Sequence, residues 1–142
     1  MSSGSAVAIA VTFSWLGMVL AISFLEAPLK FRAPGVTLRI GLGIGRLVFG
    51  ALNAVEVVLA AALVTALTVD PPTSAGVAPA VAVAVLLVQL LFVRPRLSRR
   101  SNAVLTGRAA ARSSAHHVYI ALETIKVIAL LVGGILLLAA WT

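Results

Sequence analysis

Four stretches of this chain are apolar for close to the ~20 residues that an α-helix needs to cross a hydrocarbon layer, and no other feature restricts the fold as much. They run from about Ala6 to Leu25, Leu47 to Val69, Val77 to Val93 and Val118 to Trp141. The third, VAPAVAVAVLLVQLLFV, is the shortest. A transmembrane strand would be shorter still and would alternate polar with apolar residues, a pattern that none of the four displays. Composition agrees: 61% of the residues are hydrophobic and 11% charged, where a soluble domain carries about 25% charge. A chain of 142 residues would also leave too much surface for water to wet. The expected fold is an all-α membrane protein, one bundle of four transmembrane helices over residues 1–142.

The punctuation fits that reading. DPPTSAG, Asp70 to Gly76, has the Pro and Gly of a turn and joins spans two and three. Pro28 and Pro95 are expected to end spans one and three, because proline interrupts the backbone hydrogen-bond ladder. The first segment, preceded by MSSGSAV with no Lys or Arg, lacks the basic start and small-residue cleavage site of a signal peptide and is expected to be a retained helix. There is no cysteine, so disulfides and thiolate chemistry are excluded.

Orientation follows from the cations. Lys30, Arg32, Arg39 and Arg46 lie between spans one and two, in a loop expected over residues 26–46. Arg94, Arg96, Arg99, Arg100, Arg108 and Arg112 lie between spans three and four, in a loop expected over residues 94–117. These are ten of the eleven basic residues; the opposite side has only Asp70. The positive-inside rule makes both loops cytoplasmic and both termini external, in what is expected to be a bacterial inner membrane. This asymmetry accounts for the net charge of +7 without nucleic acid. The loops suit anionic lipid head groups, and Trp141 suits an interfacial anchor.

Sliding the chain by 67 residues lays Pro28 on Pro95, Arg32 on Arg99, Leu38 on Leu105 and Glu56 on Glu123 without a gap. Two tandem hairpins of parallel topology, related by an axis along the membrane normal, are one reading. The other is coincidence between two ordinary membrane hairpins.

The carboxylates pose the functional question. Glu56 lies ten residues beyond Arg46, about 15 Å into the bilayer at helical rise, and Glu123 lies at similar depth beyond Arg112. Each costs about 2.5–3.5 kcal/mol there if charged and unpaired. Steps of three and four place Arg46, Phe49, Asn53 and Glu56 on one helix face, and His116, Tyr119, Glu123 and Lys126 on another. Lys126 stands three positions from Glu123, within pairing reach. Glu56 has no such neighbour and must find Asn53, reach Lys126 or Tyr119 across a helix interface, or take a proton. Two roles stay open: a proton- or cation-handling site with Glu56 as the titrating group, or polar glue that clamps the helices through buried hydrogen bonds.

Other features point elsewhere. His116 and His117 project about 100° apart on a helix, a poor chelate for one metal, and no metal or cofactor is expected. His116 can still relay protons above Glu123, since imidazole titrates near neutrality. Glu26 and Lys30 form an i,i+4 pair expected to be exposed. Gly41, Gly43, Gly45 and Gly50 lack the context and spacing of a phosphate loop and suit close helix approach or a flexible lead into span two. Gln89, the one strongly polar residue within span three, is expected to bond to a neighbouring helix.

The run SWLGMVLAISFLEAPLKFRAPGVTLRIGLGIGRLVF, through Trp15, Gly17, Pro28 and Phe49, resembles the opening hairpin of small, uncharacterised bacterial four-helix membrane proteins. The likeness covers about the first third of the chain and implies a fold, with no activity and no site residues to carry over. Function is therefore expected to be either a small proton-linked transporter or channel-like homo-oligomer, or an accessory or assembly subunit of a larger membrane complex. A catalytic role is not expected, because no nucleophile–base set, metal constellation or sizeable soluble domain is present.

Overall fold

A computed structural model describes residues 3–69, 77–93 and 114–140, with side chains from residue 78 to 92 in the middle stretch and from 118 in the last. The turn Asp70–Gly76, the arginines from Arg94 to Arg112, Pro95, Trp141 and the side chains of His116 and His117 lie outside the described residues. Everything regular among the described residues is helix. Helix α1 covers Ser3–Lys30, α2 covers Leu38–Val69, α3 covers Val77–Val88 with a π-helical extension Gln89–Val93, and α4 covers Ser114–Ala139. Three helices are long and apolar enough to cross a membrane: Ser3–Lys30, Leu38–Val69 and Val118–Ala139. The apolar part of α3, Ala78–Phe92, is shorter. These lengths and compositions are those of a membrane protein.

Three helix boundaries differ from the sequence reading, for physical reasons. Helix α4 begins at Ser114, inside the loop expected over residues 94–117, because backbone hydrogen bonding starts before the apolar run does. Pro28 does not end the first helix. The chain passes from α-helix into a π-helical stretch, Leu20–Glu26, and then into a last α-turn, Ala27–Lys30, with Pro28 in its first positions. The ladder is already running there, with the Ala27 N–H on the Ile22 carbonyl, so the chain continues past the one position at which proline supplies no donor. The second helix begins at Leu38, nine residues before the apolar segment does, because hydropathy falls where Arg39 and Arg46 appear but the hydrogen-bond ladder does not stop for them. The expected loop of residues 26–46 thus contracts to a short connection. It holds a turn closed by the Val36 N–H on the Ala33 carbonyl at 3.2 Å, with Pro34 before Gly35 at φ +81°, the pairing a type II turn demands. The Thr37 hydroxyl then accepts the Ile40 N–H at 3.2 Å and caps α2.

In the packing, α1 lies close against both α2 and α4, and α3 lies close against α4, while α2 and α3 touch little. Trp15, Val19, Leu63, Ala82, Leu86 and Leu130 fill the centre. Two glycines set the spacing at α4. A Cβ on Gly133 would meet Pro79 Cδ at 3.0 Å, and one on Gly134 would meet the Phe13 ring at 2.7 Å, so α3 and α1 approach only because these side chains are absent. Gly41 likewise leaves room for the Phe31 ring. Of the two readings of the glycine run, close approach is the one realised at Gly41. Between α2 and α3, where contact is slight, runs an apolar groove lined by Leu63, Leu67, Pro79 and Val83 among others.

Candidate functional site

The charged side chains deepest in the spans converge on one place, together with Gln89. Glu56, Lys126, Glu123 and Gln89 are each 0–1% exposed; they come from α2, α4 and α3, and α1 adds Trp15 and Ser23. Lys126, from α4, puts its Nζ 2.5 Å from Glu56 Oε2 of α2 and 2.6 Å from Glu123 Oε1, one turn back on its own helix. It also donates to Gln89 Oε1 of α3 at 2.9 Å. The Gln89 amide turns its other end to Glu123, Nε2 donating to Oε1 at 2.8 Å. From α1, Trp15 Nε1 donates to Glu56 Oε2 at 2.7 Å and the Ser23 hydroxyl donates to Glu123 Oε2 at 2.5 Å. Both π-helical stretches serve this cluster: Ser23 lies within one and Gln89 opens the other. Such widened turns re-aim side chains and collect at functional sites.

Of the residues singled out in the sequence, the structure brings together Glu56, Glu123 and Lys126, with Gln89 bonded across to α4 as expected. Asn53 and Tyr119 are buried beside them, each 6% exposed. Tyr119 packs its ring edge-on against Phe49, centroids 5.9 Å apart. Asn53 makes no hydrogen bond among the described residues through either amide atom, so it is not the partner of Glu56 in this arrangement. His116 lies in the first turn of α4. The Glu26–Lys30 pair departs from the exposed pair expected: its separation is 3.9 Å and the Lys30 side chain is only 10% exposed. Lys30 is sheltered because its ammonium lies 5.5 Å from both the Phe31 and Phe49 rings, where an aromatic face attracts a cation.

Trp15 and Ser23 were missed. Trp15 reads as one more large apolar residue in a span, although a buried indole N–H wants an acceptor and the chain offers few. Ser23 carries no signal, because the π-helical stretch that aims it is not a feature of hydropathy.

The cluster is unevenly satisfied. Glu123 receives donors on both oxygens. Glu56 receives both of its donors on Oε2, and its Oε1 is buried with no hydrogen-bond partner among the described residues. Two carboxyls share one ammonium. Fully ionised, the group carries one uncompensated negative charge in apolar surroundings, a costly arrangement; one proton or one small cation neutralises it. The chemistry available is thus the uptake and release of a single positive charge. Comparison of the chain with protein-family models, with curated proteins and with solved structures gives no match.

Proposed function

We propose that this is a small proton-linked transporter or channel-like protein, working as a homo-oligomer, in which Glu56 binds and releases the proton. The observation that carries the reading is the Glu56 carboxyl itself, with one oxygen held by Trp15 and Lys126 and the other buried without a partner among the described residues. Asn53, one turn earlier on the same face, has an amide suited to both states, since it can accept from a carboxylic acid or donate to a carboxylate. Intramembrane ionisable residues line ion and proton pathways as a rule.

The topology in this reading is four spans, with α3 as the short fourth, both basic connections in the cytoplasm and both termini outside a bacterial inner membrane. Two tandem hairpins are part of it. The 67-residue offset that pairs Glu56 with Glu123 also carries the end of the first π-helical stretch, Glu26, onto the end of the second, Val93. The partners are the bilayer, anionic head groups at the basic connections and further copies of the chain. The role needs no catalysis.

The test is flux. Glu56→Gln keeps the side chain's shape and its acceptor oxygen, and leaves Lys126 and Glu123 as a one-to-one pair, so the protein should stay folded. In liposomes carrying an internal pH-sensitive dye, this variant should abolish the proton movement that the native protein supports. Undiminished movement in Glu56→Gln rejects the reading.

A second reading has its own observation: side chains from all four helices meet in a single bonded cluster. In an accessory or assembly subunit, Glu56, Glu123 and Lys126 would be glue. Co-purification of a stable heterologous partner in mild detergent, with no flux by the native chain, would favour it.

A further inference from the structure

We infer that in this conformation the Glu56 site exchanges its proton with the bilayer face at which α1 connects to α2, and that Phe49 is the barrier on that route. Release to the opposite face requires a second conformation of the transport cycle. The inference rests on the reading of Glu56 as a proton-binding group and adds where the proton comes from.

Polar groups are distributed unequally about the cluster. Toward the α1–α2 connection, α1 carries three further polar residues, Ser23, Glu26 and Lys30. Ser23 bonds directly to Glu123. Asn53 of α2 and Tyr119 of α4 lie on the same side of the cluster as these, each a turn nearer the connection than the carboxyl that follows it. Among the described residues toward the opposite face, the buried side chains are apolar apart from Thr12 and include Ala8, Leu63, Ala66, Ala82, Leu130 and Leu137. The hydroxyl of Thr12, buried at this level, is committed to the Ala8 carbonyl at 2.7 Å. There α4 is pressed against Pro79 and Phe13 at its paired glycines, and the groove between α2 and α3 at this level is lined mainly by apolar side chains, Leu63, Leu67, Pro79 and Val83 among them. Protons move along hydrogen-bonding groups or water, and neither packed hydrocarbon nor an apolar-lined groove, which stays dry, supplies them.

The open side has one thin apolar layer. Phe49 meets the Tyr119 ring edge-on on one flank and the Lys30 ammonium on the other, and it stands between the Glu26–Lys30 pair at the rim and Asn53 one turn deeper. The charged and titratable groups around Glu56 belong to this arrangement. Helix α4 presents Lys126, Glu123 and Tyr119. Helices α1, α2 and α3 present Trp15, Asn53 and Gln89, which do not titrate; α1 brings Glu26 and Lys30 at its end, and α2 brings Arg46 one turn before Phe49 on the same face.

The test uses the full chain in liposomes and the membrane-permeant reagent dicyclohexylcarbodiimide, which modifies carboxyls in their protonated form. Sidedness is read from impermeant maleimide labelling of an Arg39→Cys variant, the chain having no cysteine of its own. Adduct at Glu56 is counted by mass spectrometry while pH is varied on one face at a time. Acidifying the α1–α2 face should raise labelling by up to about tenfold per pH unit, and acidifying the other face should leave it unchanged. Phe49→Leu, and separately Phe49→Ala, should shorten the lag after a pH jump on the α1–α2 face. Labelling that follows the opposite face, or both faces equally, overturns one-sided access while leaving Glu56 a proton-binding group. An adduct that ignores pH on both faces, or no adduct at Glu56, overturns the Glu56 reading and this inference with it.

Discussion

Lys126 Nζ lies 2.5 Å from Glu56 Oε2, although the two residues are 70 positions apart. The contact joins α4 to α2, helices whose backbones do not pack closely. Long side chains therefore bridge a gap in the interior that apolar contact does not close. Because Lys126 also neutralises Glu123, it is the one cation in contact with the two buried acids among the described residues, and the stability of the bundle is expected to depend on it more than on either carboxyl.

Lys126→Leu should be the most damaging single substitution in the cluster. It strands two carboxyls, and breaking a buried pair from one side costs about 3–5 kcal/mol. Adding Glu56→Gln and Glu123→Gln to it should restore much of the loss, since no charge is then buried. Thermal unfolding in mild detergent, followed by circular dichroism, measures both. A Lys126→Leu protein as stable as the native one would show that the acids are neutral without it.

Trp15→Phe separates the indole's bulk from its hydrogen bond. The ring continues to fill the centre, but Glu56 Oε2 loses the donor at 2.7 Å. Loss of a hydrogen bond to a charged group predicts about 1.5–3 kcal/mol in the same melting experiment. Trp15→Leu should cost more, through packing.

The glycines of α4 predict a graded series. Gly134→Val forces α1 and α4 apart against Phe13 and should cost about 1–3 kcal/mol, as overpacking does. Combination with Phe13→Ala should recover part of it. Gly50→Ala, where a Cβ meets nothing within 4 Å, should not destabilise. Melting temperatures across these variants check the order.

How much of this was legible in the sequence depended on what each residue's environment owes to local spacing. The pairing of Glu123 with Lys126 follows from three positions on one helix. The reach of Lys126 to Glu56 was one of a few ways to relieve a carboxyl set deep in an apolar span. Trp15 and Ser23 could not be placed, because their roles depend on which way α1 faces once packed, and a π-helical stretch changes that facing without altering composition. Helix limits were misjudged at Pro28 and Leu38 for a related reason: apolarity tracks what a helix touches, whereas its ends are fixed by backbone hydrogen bonds.

The tandem-hairpin reading makes its own prediction. The 67-residue offset sets Leu59 on Lys126, and Leu59 packs at the edge of the core, three positions beyond Glu56. Moving the cation, by Leu59→Lys together with Lys126→Leu, should recover stability that Lys126→Leu alone loses. A double variant no better than Lys126→Leu would count against pseudo-symmetry at the cluster.

The π-helical stretch Leu20–Glu26 has a consequence for lengthening and shortening the chain. A π-bulge is in effect a helix carrying one surplus residue. Deleting a single amino acid there should let the segment relax to an ordinary α-turn with Trp15 and Lys30 still pointing as they do now, while the same deletion three turns earlier would swing everything beyond it by about 100°. Length variants of this chain should therefore be best tolerated at the Ser23 turn, where a missing residue removes a hydrogen bond to Glu123 and leaves the rest of the helix correctly aimed.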